Sequence, residues 1–300
     1  MDPIPSPPRR NLILRILRSP DEPRLRAGWR LLLHTLIWIL SSSILLLVFL
    51  LLQMQADFIS AALELGSILI ATWLARRFLD RRSFRSLGFK LTRRTWSDLA
   101  VGFTLPGLLM GLVFAVELLF GWTTFEGWAW QAAQPRQIVI DLLSGLLFFT
   151  LVGFSEEILS RGYHLQNLRD GLNLQWGLLL SSSVFAVLHA LNPNSSWVST
   201  LGILFAGYFL AYGWICTGQL WLSIGLHIGW NFFEGNVFGF PVSGMATFRL
   251  IDHRTIGPVW ITGGAFGPEA GLIILPAMAL GIYIMHVYSR DHLTDSPPQP

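Results

Sequence analysis

Long runs of apolar residues restrict the fold of this chain more than any other feature of its sequence. A helix needs about 20 apolar residues to cross a hydrocarbon core roughly 30 Å thick. Of the 300 residues, 52% are hydrophobic and only 13% are charged. The runs predict an all-α, polytopic membrane protein with about eight transmembrane helices. The predicted spans are 31–53, 58–75, 97–120, 138–158, 175–192, 196–216, 219–238 and 270–288.

Basic residues flank these spans and predict their orientation. Seven arginines precede the first span, and eight Lys or Arg residues lie between the second and third spans. Because basic loops tend to stay in the cytoplasm, both segments are predicted there, and eight crossings place the C-terminus on the same side. We therefore expect a multi-pass protein of the plasma membrane with both termini in the cytoplasm. The compact length and the Arg-rich loops favour a bacterial membrane.

The chain is predicted to form one domain between two tails. Residues 1–30 are rich in Pro and Arg and lack the short apolar core of a signal peptide, which indicates a cytoplasmic tail. Residues 31–288 form the transmembrane domain, and 289–300 form a second cytoplasmic tail. One cysteine, Cys216, excludes an intramolecular disulfide and a Cys-rich metal cluster. The basic residues sit beside apolar spans and indicate topology, so no nucleic-acid partner is expected, and the oligomeric state is left open.

Ionisable residues inside the predicted spans mark a candidate site, because each charge in a bilayer costs about 2.5 kcal/mol or more. Glu156 and Glu157 lie in the fourth span, within the stretch GFSEEILSRGYH. His189 lies in the fifth span, and His227 and Asn231 lie one helical turn apart in the seventh. Polar groups on three helices predict a site between helices 4, 5 and 7.

Helical spacing separates the two glutamates. Glu157 and Arg161 are four residues apart, the favourable order for an ion pair on one helix face, which predicts a structural role for both. Glu156 points about 100° away and lacks that partner, so it is the available general base. Phe185, one turn before the histidine of the fifth span, is predicted to pack against the site. The interpretation requires the fourth helix to continue to about residue 168, since Glu156 otherwise lies at the membrane surface.

Three other glutamates lie within the predicted spans. Glu64 and Glu117 are isolated in spans two and three, and we interpret them as packing or interhelical residues. Glu234 lies one turn beyond Asn231, and the sequence leaves it open between the site and the packing of the helix.

Three short motifs, EExxxR, FxxxH and HxxxN, occur in this order on separate predicted helices. They begin at Glu156, Phe185 and His227. Together they resemble the CPBP family of intramembrane proteases, which includes type II CAAX prenyl endopeptidases and bacteriocin-processing or immunity proteins. The motif core covers about residues 138–236, and SLGF at 86–89 is similar to a short segment that these proteins carry before the third span.

The resemblance implies an eight-helix endopeptidase that cleaves a membrane-embedded or lipidated peptide within the bilayer, near its cytoplasmic side. Glu156 would activate water with His189, while His227 and Asn231 would stabilise the oxyanion. The family is also labelled metalloprotease, which leaves zinc open as a cofactor, ligated by Glu156, His189 and His227. We favour metal-free, glutamate-activated water, because Asn231 is a poor zinc ligand and Glu156 cannot easily be both ligand and base.

Two other functions are compatible with parts of the pattern. A membrane scaffold or bacteriocin-immunity-type protein keeps the fold, and its motif residues form a structural polar network. A proton-coupled transporter is less favoured, because no pair of broken helices is visible in the two halves. The loop 239–269 lies outside the motif core and is expected to tune substrate access or partner binding.

Overall fold

The computed structural model describes residues 16–19, 22, 24–51 and 57–294, and it confirms the all-α class. Each predicted span corresponds to a helix that begins within a few residues of the expected position. Residues 52 and 53 of the first predicted span lie outside the described residues. The helices are α1 Ala27–Leu51, α2 Asp57–Leu74, α3 Thr95–Leu119, α4 Pro135–Gly171, α5 Leu174–His189, α6 Trp197–Thr217, α7 Trp221–Asn231 and α8 Ile274–Thr294.

Five helices of the described part are long and apolar enough to cross a membrane. They are α1, α3, α4, α6 and the stretch Ile59–Asp80, in which α2 continues as a π-helix. The helix α5 is apolar but shorter, and α7 continues beyond its last α-helical residue as the π-helix Phe232–Val237. The chain is therefore a membrane protein built as a helix bundle. Whether α5, α7 and α8 complete eight crossings stays a prediction.

The helix α4 is long enough to place the glutamate pair inside the bundle. It begins at Pro135, whose missing N–H costs nothing in the first turn of a helix. It runs for 37 residues to Gly171 and passes through a π-helical segment at Ile158–His164. The predicted extension to about residue 168 is thus confirmed, and Glu156 lies within the helix and not at its end.

Two glycines of α7 allow a close contact between α7 and α3. A Cβ atom at Gly225 would lie 2.6 Å from the carbonyl oxygen of Leu99, and one at Gly229 would lie 2.2 Å from that of Phe103. Only glycine lets the α7 backbone pack on α3 in this way, as in other pairs of small residues four apart in membrane helices. His227 lies between the two glycines in sequence, so the helical period points it to the opposite face, away from α3.

The segment SLGF joins the start of α7 to α4. A 3-10 helix at Phe84–Leu87 ends at Gly88, which has a φ of 119° and packs its Cα against the backbone N of Leu220. The carbonyl of Gly88 accepts a hydrogen bond from Leu220 N at 2.9 Å, and Gln166 on α4 donates to the carbonyl of Leu87 at 2.7 Å. A Cβ atom at position 88 would lie 2.9 Å from the backbone N of Leu220, and a φ of 119° is strained for residues with a side chain, so this position requires glycine.

A small antiparallel sheet orders the loop that follows α7. The strands β1 Thr123–Trp128 and β2 Ile251–Thr255 pair with Thr123 opposite Thr255, and a bulge lies between Phe125 and Gly127. Because β1 follows α3 and β2 belongs to the predicted loop 239–269, the pairing fixes that loop over the bundle.

Buried ion pairs fix the N-terminal part of the described chain. Arg30 on α1 contacts Asp80, at the end of the π-helix that continues α2, at 2.9 Å, and Arg24 contacts Asp170 near the end of α4 at 3.1 Å. The last residues of the predicted tail therefore pack on the bundle, although 1–15 lie outside the described residues. The division into one domain and two tails stays a prediction.

The α3–α7 contact can be tested with Gly229→Ala. We expect a loss of about 1–3 kcal/mol in the free energy of unfolding, because the added methyl overlaps the backbone of Phe103. The measurement is thermal or denaturant unfolding in detergent. Gly28→Ala is the matched control, since a Cβ at Gly28 meets nothing within 4 Å. Equal stability of the two variants would contradict the close contact.

Candidate active site

A cavity of about 310 Å³ lies inside the bundle, and the predicted site residues meet there. Its wall includes Glu156 from α4, Phe185 and His189 from α5, and His227 and Asn231 from α7. The structure therefore brings together residues from helices 4, 5 and 7, as the motifs predict. Its volume is at the small end of the range of about 300–1,000 Å³ usual for ligand pockets.

Glu156 faces both histidines of the site. Its Oε2 lies 3.6 Å from Nε2 of His189 and 3.6 Å from Nε2 of His227. These separations exceed a direct hydrogen bond. Among the described residues this oxygen has no hydrogen-bond partner, although it is buried.

Hydrogen bonds fix the orientation of both imidazoles. Nδ1 of His189 donates to the backbone carbonyl of Phe185 at 2.8 Å, because a carbonyl oxygen can only accept. Nδ1 of His227 donates to Oε1 of Glu157 at 2.8 Å. When neutral, each ring therefore presents Nε2 as an acceptor to Glu156, itself an acceptor. A hydrogen-bond donor such as water suits the space between these three atoms.

Glu157 is the buried link between α4 and α7. Its Oε1 accepts a hydrogen bond from Arg161 at 2.7 Å, so the predicted ion pair is present, and the same oxygen accepts the bond from His227. Arg161 also donates to the carbonyl of Gly207 at 2.9 Å, and its guanidinium lies 4.4 Å from the ring centre of Phe185. Helical spacing predicts the ion pair of Glu157 with Arg161, but it does not predict the hydrogen bond from His227.

Two π-helical segments begin directly after site residues. Ile158–His164 follows Glu157, and Phe232–Val237 follows Asn231. Such segments carry an extra residue per turn and occur frequently at functional sites. No feature of the sequence predicts either of them.

The cavity also contains two carboxylates that the motifs do not predict. Glu64 on α2 lines it, and its interpretation as a packing or interhelical residue stays a prediction. Glu269, from the loop after α7, accepts hydrogen bonds from Trp230 Nε1 at 3.1 Å and from the backbone N and Oγ of Ser243 at 2.9 and 2.6 Å. Burial raises the pKa of Glu269, and its bonds from Ser243 oppose that shift. Its only sequence signal is an acidic residue inside the Gly-rich stretch GGAFGPEAG.

The other carboxylates of the spans lie outside the cavity wall. Glu234 is fully buried and near Glu269, and neither of its oxygens has a hydrogen-bond partner among the described residues. Glu117 accepts a hydrogen bond from Thr123, in keeping with the packing role expected for it.

The three side chains suggested as zinc ligands have suitable donor atoms, but they are not arranged to hold a metal ion. Glu156, His189 and His227 carry the nitrogen and oxygen atoms that zinc binds. In the described part of the chain, however, no group of three or more His, Cys, Asp or Glu side chains has the arrangement needed to hold a metal ion. The zinc alternative stays a prediction, and no step of the chemistry below is derived through a metal.

A comparison with known protein families matches the segment of the chain that contains this site. Residues 138–233 match the family model described as type II CAAX prenyl endopeptidase Rce1-like. The family resemblance is confirmed. The matched segment contains the EExxxR and FxxxH motifs and the HxxxN motif of α7, and it nearly coincides with the predicted core 138–236. The Rce1-like family is a family of CAAX proteases, which supports a peptidase.

A similar curated protein comes from Bacillus subtilis (strain 168) and is described as uncharacterized protein YyaK. It is 28% identical over 165 residues, which cover 54% of this chain and 54% of YyaK. The chain thus matches about half the length of this curated relative. No solved structure matches the chain.

The buried Glu157 pair can be tested by Glu157→Gln. We expect a loss of about 3–5 kcal/mol in the free energy of unfolding, because Arg161 would keep a buried charge without its partner. The matched control is Glu126→Gln, whose exposed ion pair with Arg254 should contribute about 1 kcal/mol or less. Denaturant unfolding of both variants in detergent makes the comparison, and similar losses would contradict the structural role of Glu157.

Proposed function

We propose that this protein is an intramembrane endopeptidase that hydrolyses a peptide bond of a membrane-embedded or lipidated peptide with glutamate-activated water. One observation carries the proposal: Oε2 of Glu156 faces Nε2 of both His189 and His227 at 3.6 Å. At this separation the carboxylate is not hydrogen-bonded to either ring, so it is free to accept a hydrogen bond from a water molecule. The match to a protease family supports the same reaction type.

The first step is the attack of water on the peptide carbonyl. Glu156 takes a proton from the water as the water oxygen bonds to the carbonyl carbon, which is general base catalysis. His189 holds the water through Nε2, which is free to accept because Nδ1 donates to the carbonyl of Phe185.

The oxyanion that forms is stabilised from α7. Asn231 donates from its side-chain amide, and His227 donates from Nε2 when it is protonated. Glu157 accepts from Nδ1 of the same ring at 2.8 Å and stabilises the imidazolium, as the carboxylate of a catalytic triad does. Glu156 then passes its proton to the leaving amine while the C–N bond breaks, which regenerates the carboxylate.

The proposed setting of the reaction is based on the predicted topology and on the similarity to a bacterial protein. We place the protein in the plasma membrane with both termini in the cytoplasm, as the basic loops predict. A bacterial source is supported by the similarity to a Bacillus subtilis protein. The partners are the lipid bilayer and a peptide substrate, with no nucleic acid.

The proposal predicts that Glu156→Gln abolishes cleavage. Purified protein in liposomes would be incubated with a mixture of lipidated and membrane-spanning peptides, and products would be identified by mass spectrometry. We expect the rate to fall by at least about 100-fold, because the amide cannot accept the proton of water. Glu126→Gln, a matched change on the exposed strand β1, should retain the rate of the unmodified protein.

The same variant separates a protease from a scaffold. A scaffold or immunity-type protein of this fold would retain its biological effect in Glu156→Gln, whereas a protease would lose it with the thermal stability unchanged. Full activity of Glu156→Gln in cells would therefore contradict the proposal.

We predict that the rate of peptide cleavage does not depend on bound zinc. We expect less than stoichiometric zinc by elemental analysis of the purified protein and an unchanged rate after treatment with a chelator. One equivalent of zinc, together with activity that chelation removes and zinc restores, would instead assign Glu156 and the two histidines as ligands.

A further inference from the structure

Glu269 is a buried carboxylate of the cavity wall that the proposed reaction does not use. Its two oxygens bind different segments of the chain. Oε1 accepts a hydrogen bond from Nε1 of Trp230 at 3.1 Å, and Oε2 accepts from the backbone N and Oγ of Ser243 at 2.9 and 2.6 Å. The side chain therefore connects α7, which carries the tryptophan, to the loop that follows α7.

Ser243 lies in a tight turn that lines the cavity. Val242 and Met245 exchange two N–H···O bonds of 2.9 Å, and Ser243 and Gly244 between them have φ angles of 47° and 84°. Glycine adopts such angles freely, whereas serine does so at a cost. The two hydrogen bonds from the serine to Glu269 stabilise this conformation and fix the turn in the wall.

The same turn is bonded to the end of α5. Nδ2 of Asn192 donates to the carbonyl of Ser243 at 3.1 Å, and the backbone N of Asn192 donates to the carbonyl of His189 at 3.1 Å. Asn192 thus belongs to the turn that directly follows the histidine proposed to hold the water. A series of hydrogen bonds runs from Glu269 through Ser243 to His189.

Trp230 connects the carboxylate to the other helix of the proposed chemistry. It lies directly before Asn231 and three residues after His227, so it belongs to the helical turn that carries both proposed oxyanion groups. The backbone of Glu269 is fixed as well. Gly202 of α6 allows the carbonyl of Glu269 to pack directly on that helix, where a Cβ atom would overlap it.

Two carboxylates therefore connect the three helices that carry the site. Glu157 bonds α4 to α7 through His227. Glu269 bonds α7 to the turn at Ser243, which is bonded to the end of α5. Groups from different helices must stay within about 0.5 Å of the productive geometry for efficient catalysis. No helical period fixes the distance between α5 and α7, so this distance depends on contacts between elements.

We propose that Glu269 is a positioning residue that fixes His189 on α5 relative to Asn231 on α7. The inference rests on the proposed endopeptidase function and adds a residue to the same site. Glu269 acts through Ser243 and Trp230 and does not contact the reacting groups. Because the water and the oxyanion are held from different helices, loss of this connection should lower kcat more than it raises KM.

Kinetics of Glu269→Gln test the proposal. The amide replaces one acceptor oxygen by a donor NH2 group, so it cannot accept from both Trp230 and Ser243 as the carboxylate does. We expect kcat to fall about tenfold, with a smaller change in KM. Ser243→Ala removes only the Oγ bond and should lower kcat less. Both constants would be measured in liposomes with a peptide that the unmodified protein cleaves.

Glu117→Gln is the matched control. Glu117 is also buried and accepts a hydrogen bond, from Thr123, but it lies outside the cavity wall. This variant should lose thermal stability and retain kcat. An unchanged kcat in Glu269→Gln, or an equal fall of kcat in Glu117→Gln, would overturn the positioning role.

Nitrogen NMR of protein labelled with 15N-histidine tests the connection without catalysis. The signals of His189 would be assigned with His189→Gln, in nanodiscs. Glu269→Gln should shift these signals, because the turn after His189 loses its connection to α7, and Glu117→Gln should leave them in place. Unchanged His189 signals in Glu269→Gln would contradict the proposal.

The two readouts separate this proposal from the proposed function. If the unmodified protein cleaves no peptide but the His189 signals shift in Glu269→Gln, the endopeptidase is contradicted and the positioning of His189 stands. If peptides are cleaved and kcat does not depend on Glu269, the endopeptidase stands and the positioning role is contradicted.

Discussion

The position of the proposed catalytic groups depends on one buried carboxylate, that of Glu157. It is fully inaccessible, and its Oε1 accepts hydrogen bonds from Arg161 on its own helix and from His227 on α7. A charge in this place is tolerated only because both partners are present. The adjacent Glu156 points about 100° away, into the cavity. Helix geometry therefore gives the two glutamates different roles. Glu157 positions His227, and Glu156 faces the same histidine.

Local patterns account for what the sequence predicts correctly. The lengths of apolar runs predict the helices, and the spacing of four residues predicts the ion pair of Glu157 and Arg161, because both depend on neighbours within one helix. The bond between Glu157 and His227 joins residues 70 apart, and no periodicity within a helix contains it. The π-helical segment at Ile158–His164 is equally invisible, since it depends on the packing of neighbouring helices. The three motifs supply this information, because their resemblance to a known family predicts that the helices that carry them meet at one site.

Single carboxylates are the group that the sequence places least precisely. Glu64 has no charged partner at helical spacing, and its position in the cavity wall depends on α1 and α2, which close one side of the bundle. Glu269 lies in a loop without any period, and its place in the wall depends on the strand pairing of β1 with β2 and on its bonds to Ser243 and Trp230. In both cases the tertiary fold supplies the environment, so a pattern along the chain could not predict it.

The hydrogen bonds and ion pairs of each buried carboxylate distinguish a structural role from a chemical one. A carboxylate that serves the fold should have its partners within the protein, since the folded state must be stable before substrate arrives. Glu157 and Glu269 meet this condition through an ion pair and hydrogen bonds. Glu156 does not, because its buried Oε2 has no hydrogen-bond partner among the described residues, and it lines the cavity. A group whose charge lacks a protein partner in a low-dielectric site gains the most when a water molecule binds, because the water provides the missing interaction. The incomplete compensation of Glu156 is thus the physical reason to assign the chemistry to this residue.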